Sequence, residues 1–114
     1  LSSIEQLERV IKLHVDITVE HTDAVSLLTN EWVHLDGEVA RQFVSLKDEY
    51  EHDFRKIVLA CIKDGMIEEV NVELALFSML STLRWLYSWY SKNPSVNRIE
   101  LEQQMVRLLV PKRT

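Results

Sequence analysis

Glycine and proline are almost missing from this chain, with two of each among 114 residues, at Gly37, Gly65, Pro94 and Pro111. So few chain breakers leave too little turn chemistry for a sheet of many short strands and suit long helices instead. The same scarcity removes the glycine-rich loops that cradle phosphate groups and the tight turns that build oxyanion holes. Cysteine occurs once, at Cys61. That excludes an internal disulfide and a multi-cysteine zinc site, fits a reducing cytosol, and leaves Cys61 as a small buried hydrophobe. No apolar run approaches the ~18 residues of a membrane span, because Arg84 and Ser88 interrupt the most hydrophobic stretch. With no basic-then-apolar leader either, a cytoplasmic chain is expected.

Positive charge is also in deficit, 13 basic against 18 acidic residues for a formal net charge of −5. Phosphate backbones would repel such a chain, so it is not expected to read DNA by itself. Its length supports one hydrophobic core and no more. The sequence opens on Leu1-Ser2-Ser3 rather than methionine, from which a further N-terminal segment is expected.

What is present reads as five helices, an all-α bundle around a single core. From Ser3 to about His21, Ile4, Leu7, Val10, Ile11 and Ile17 recur at helical spacing opposite charged residues. A second helix covers about residues 22–34 with Val25, Leu28 and Trp32 on one stripe. Asp36 is the expected N-cap of the longest helix, about residues 37–64, whose buried face reads Val39, Phe43, Leu46, Tyr50, Phe54 or Asp53, Ile57 and Cys61. Gly65 supplies its left-handed stop. Asn71 caps a helix to about Lys92 that is apolar nearly all round and must therefore be covered twice. After Asn93-Pro94-Ser95, a last helix from about Val96 to Val110 carries Ile99, Val106 and Leu109.

Few residues offer catalytic chemistry, and an enzyme is not expected. Glu31 with His34, and Glu49 with His52, have the Glu-x-x-His spacing of ferritin-like di-iron bundles. They fall on consecutive helices, however, and His52 turns away from the face that holds Tyr50, so neither a metal nor a cofactor is expected. His14, Thr18 and His21 continue the apolar stripe of the first helix toward the core. Either each is satisfied by a backbone carbonyl or at the core rim, or together they line a cavity and contact a ligand. Trp32, Tyr50, Phe54, Trp85 and Trp89 are in the same position, as ordinary core or as the wall of a mostly apolar pocket. A scaffold with a filled core and no ligand would have every aromatic tightly packed. On the fourth helix Ser78, Ser81, Thr82 and Ser88 would let another helix approach closely. Two-fold pairing through the last two helices would make a four-helix contact, unless the fifth helix alone covers the second face.

Four segments share an order and spacing: Leu28-Thr29-Asn30-Glu31-Trp32-Val33-His34-Leu35, then Asp48 to Phe54, then Ile62 to Ile67 around Gly65, then Trp85-Leu86-Tyr87-Ser88-Trp89-Tyr90. Over about residues 7–110 this pattern resembles the C-terminal domain of TetR-family bacterial transcriptional regulators. Tyr50 and Phe54 match that family's long-helix aromatics, and Trp85, Trp89 and Tyr90 match its tryptophan-rich helix. The resemblance implies that residues 1–114 form the effector-binding and dimerisation domain of a repressor. Its helix-turn-helix DNA-binding domain would lie outside this chain. It also implies a homodimer, with Phe77, Ser78, Ser81, Leu86 and Tyr90 of the fourth helix and Ile99 and Val106 of the fifth at the subunit contact. The effector would be small and amphipathic or apolar, and operator DNA a partner only of the missing domain. The tryptophan-bearing end of the fourth helix is similar to members that sense acyl or lipid-like molecules. His14, Thr18 and His21 match no family motif and stand on helical spacing alone.

Overall fold

Ser2 opens the first helix with a reciprocal cap. Its hydroxyl accepts from the Glu5 amide at 3.3 Å, while the Glu5 carboxylate accepts from the Ser2 amide at 3.4 Å. In the computed structural model, which describes residues 1–114, helix α1 (Ser3–Glu20) then buries Ile4, Leu7, Ile11, Val15 and Thr18 on one stripe. It packs against α3 (Gly37–Lys63), α4 (Val72–Lys92) and α5 (Arg98–Leu109) alike, and so forms the central post of the core. Ile17, expected on this stripe, is exposed, because it stands about 100° around the helix from Thr18, which holds the seam.

His21 both ends α1 and begins α2 (Thr22–Glu31), and a 3-10 turn over Trp32–His34 replaces the rest of the expected second helix. Asp36 has the extended backbone of an N-cap, but its side chain accepts no hydrogen bond. Gly37, at φ +62°, turns the chain into α3 instead. The expected buried face of α3 extends over only half of the helix. Phe54, Val58 and Cys61 are buried, whereas Val39 is 60% and Leu46 67% exposed. Correct helical spacing does not supply a neighbour to cover a face. α2 likewise buries none of its residues. The radius of gyration, 14.9 Å, exceeds the roughly 13 Å expected of a compact chain this long, in keeping with these two projecting pieces.

At the far end of α3, Gly65 at φ +70° completes a Schellman stop. Its amide bonds Ile62 O at 3.1 Å, and the Met66 amide bonds Cys61 O at 3.0 Å. Asn71 caps α4 through the Glu73 and Leu74 amides, as its sequence position suggests. Asn97 does the same for α5 through Glu100, which moves that helix start two residues past the expected Val96. The tail after α5 returns to the α3–α4 connection, where Glu68 N donates to Pro111 O at 2.8 Å and Arg113 N to Met66 O at 3.2 Å. Ile67 is buried beneath it. The architecture is all-α, and no helix is long and apolar enough to cross a membrane.

Candidate functional site

One polar pair lies where α1, α3 and α4 meet. His14 Nδ1 is 2.8 Å from the Tyr50 hydroxyl, and the Tyr50 ring tilts against Phe54 with centroids 5.9 Å apart. Burial pushes the His14 imidazole down to about 4, helped by the positive charge of Arg84. Burial also pushes the Tyr50 phenol up to about 12, against the opposing pull of Arg84. Both rings are therefore neutral near pH 7, and the simplest pairing has the phenol donate to a bare Nδ1. Phe54 is fully buried and belongs to the core, while Tyr50 is partly open to solvent.

A pH dependence follows. The unfolded chain protonates His14 near 6.5 and the folded chain only near 4. Between those values the unfolded state binds more protons, so stability falls as pH is lowered through that window. His14→Gln, which has no proton to take up, should show a shallower loss over the same range in thermal melts. Parallel profiles for the two proteins would show that His14 titrates alike in both states.

The other expected ligand contacts on α1 are not brought into this pair. Thr18 is fully buried and its hydroxyl donates to His14 O at 2.9 Å, so the backbone already satisfies it. His21 leaves the stripe because α1 ends at Glu20, and it is exposed at the helix junction.

A second cluster lies between α2, α3 and α4, and most of it was not foreseen. Arg84 of α4 pairs with Glu51 of α3, and Lys47 Nζ lies 3.3 Å from the same carboxylate oxygen. Both cations hold the Glu51 carboxyl below its ordinary range against the opposing effect of burial. Lys47 also sits 5.8 Å over the Trp32 ring, which stacks on Phe43 at 6.2 Å. Asn30 of α2 donates to the Tyr87 hydroxyl of α4 at 3.1 Å. Trp32 lies beside this cluster, on the open side of α3. The signal for Arg84 was available, since it is the charge that interrupts the most apolar helix.

Trp85 and Trp89 lie elsewhere. With Val96, Leu101, Met105 and Leu108 they line a groove of about 560 Å³ between α4 and α5. This is the outward face of both helices, where Phe77 is 70% and Leu108 76% exposed and Leu74 is also bare. Of the residues expected at a subunit contact, Phe77 and Ser78 are exposed here, and Ser81 and Tyr90 are half-buried. Leu86 and Val106 are buried within the chain's own core, with Leu86 also at the floor of the groove. Ile99 is exposed but stands half a turn around α5 from Leu108, away from the groove. Glu31, His34, Glu49 and His52 are all exposed, and no three metal-ligating side chains converge.

The chain is thus an all-helical domain with a central post, a half-covered long helix and two helices that turn apolar residues outward. The model of the tetracyclin repressor-like C-terminal domain matches residues 1–111, and the chain belongs to that family. Neither a curated protein nor a solved structure matches it.

Proposed function

We propose that this chain is the effector-binding and dimerisation domain of a ligand-responsive transcriptional repressor whose DNA-reading domain lies outside residues 1–114. The observation that carries this reading is the uncovered apolar surface of α2 and the first half of α3, next to the half-open Trp32, Phe43 and Tyr50. An apolar or amphipathic effector between α2 and α3 would bury what the fold leaves bare. A homodimer formed through α4 and α5 would cover the other apolar face.

The linkage between these parts has a physical route. The C-terminal half of α3 is anchored by Phe54, Val58 and Cys61, so a ligand that prefers a displaced first half moves it as a lever. α2 is tied to α4 by the Asn30–Tyr87 bond, so the same ligand acts on a dimerising helix. The shift is limited by the ligand's differential affinity for the two arrangements, typically about 1–3 kcal/mol, or roughly 5- to 150-fold in DNA affinity.

Tryptophan fluorescence tests the location. Titration with medium- and long-chain amphipathic molecules is expected to change the emission of the protein, and Trp32→Phe to abolish that change. Trp85→Phe and Trp89→Phe should retain it. A response carried by Trp85 or Trp89 instead would put the effector on the α4–α5 face and refute this placement.

A further inference from the structure

From the charges clustered on α3 and α4 beside Trp32, we infer that the effector is an amphipathic monocarboxylate whose acid group is seated by Lys47 and Arg84. This rests on the proposed placement of the effector between α2 and α3. Two cations converge there on a single oxygen of Glu51, the only carboxylate paired with either of them. The triad therefore carries an excess positive charge. All three side chains are about a third exposed, at 34%, 33% and 35% for Lys47, Glu51 and Arg84, so the excess faces solvent rather than the core.

An apolar wall adjoins the cations directly. The Lys47 ammonium lies over Trp32, Trp32 stacks on Phe43, and Leu28 of α2 and Leu46 of α3 are exposed. On the inner side, burial and the nearby Arg84 disfavour a charge on His14, so that neutral ring adds no third cation. A ligand that fits both features has an apolar chain and one negative end.

The charge of that end is set by Glu51. It lies one turn from Lys47 on the same helix and cannot leave the site, so two positive charges and one negative leave room for one more negative. A carboxylate satisfies this and can engage the planar fork of Arg84. An alcohol leaves the excess cation unpaired. A phosphate monoester brings too much charge beside Glu51.

The test is calorimetric titration of the protein with dodecanoate, dodecan-1-ol and dodecyl phosphate, each below its micellar concentration. Dodecanoate is expected to bind roughly tenfold or more tightly than the alcohol, as for hydrogen bonds to charged groups. Lys47→Met should erase that advantage without affecting the alcohol. Glu51→Gln should strengthen dodecanoate by a similar factor and admit dodecyl phosphate. Lys47 and Glu51 are both partly exposed, and a thermal melt confirms that each variant folds. Equal binding of acid and alcohol, unmoved by either substitution, overturns the carboxylate assignment while leaving an apolar effector in place. Failure of all three probes to bind overturns both.

Discussion

Phe54→Ala is expected to destabilise the domain by about 3–5 kcal/mol, the usual cost of removing a buried phenyl ring. Phe54 is 1% exposed and is the first residue of α3 to enter the core, followed by Val58 and Cys61. Its loss opens a cavity at the point where α3 is held, under the His14–Tyr50 pair. Against a total of roughly 5–15 kcal/mol for a domain, that is a large fraction, and the midpoint of thermal unfolding should fall on the order of 10–20 °C. Two comparisons make the expectation specific. Tyr50→Phe, one turn earlier, removes only the hydroxyl that serves His14 and should cost about 1 kcal/mol. Leu46→Ala, a further turn out, should change stability by no more than about 0.5 kcal/mol. A Leu46 variant as damaged as the Phe54 variant would mean that the first half of α3 is covered in solution.

The same three residues show what could be read in advance. Leu46, Tyr50 and Phe54 lie on one helical stripe, and spacing alone gives them equal claims to burial. Only the position of α1 and α4 separates them. Where a stripe belongs to the central post, as with Ile4, Leu7 and Ile11, or is bounded by caps, as with Asn71 and Gly65, sequence and structure agree. Those features are local, and a cap needs only its own first turn. The site is not local. His14 meets Tyr50 from 36 residues away and Asn30 meets Tyr87 from 57, and no periodicity encodes such pairs. Trp85 and Trp89 illustrate a different ambiguity. On a helix apolar nearly all round, composition does not say which side faces α1 and which faces out. The exposed Trp85 and Trp89 and the buried Leu86 therefore cannot be told apart by spacing, although all three line one groove.

That outward face carries the second large expectation. Phe77→Glu combined with Leu108→Glu should convert the proposed dimer to a monomer while the protomer keeps its helical circular dichroism. Both side chains are more than two-thirds exposed, so neither supports the chain's own core. Burying such a side chain contributes roughly 1.5–3 kcal/mol, and two-fold symmetry counts each substitution twice. The pair of substitutions thus removes roughly 6–12 kcal/mol of apolar association before the cost of desolvating four new carboxylates. Association never returns the full area term, but even 3 kcal/mol is about two decades in the dissociation constant. Sedimentation should show the wild-type dimer and the monomeric variant. Emission of Trp85 and Trp89, which line a groove with Leu108, should shift to the red on dissociation, and that of Trp32 should not. If the variant stays dimeric, α4 and α5 do not form the interface. If it becomes monomeric, the proposed regulator should lose operator binding, because its proposed pair of DNA-reading heads would no longer be held at a fixed separation.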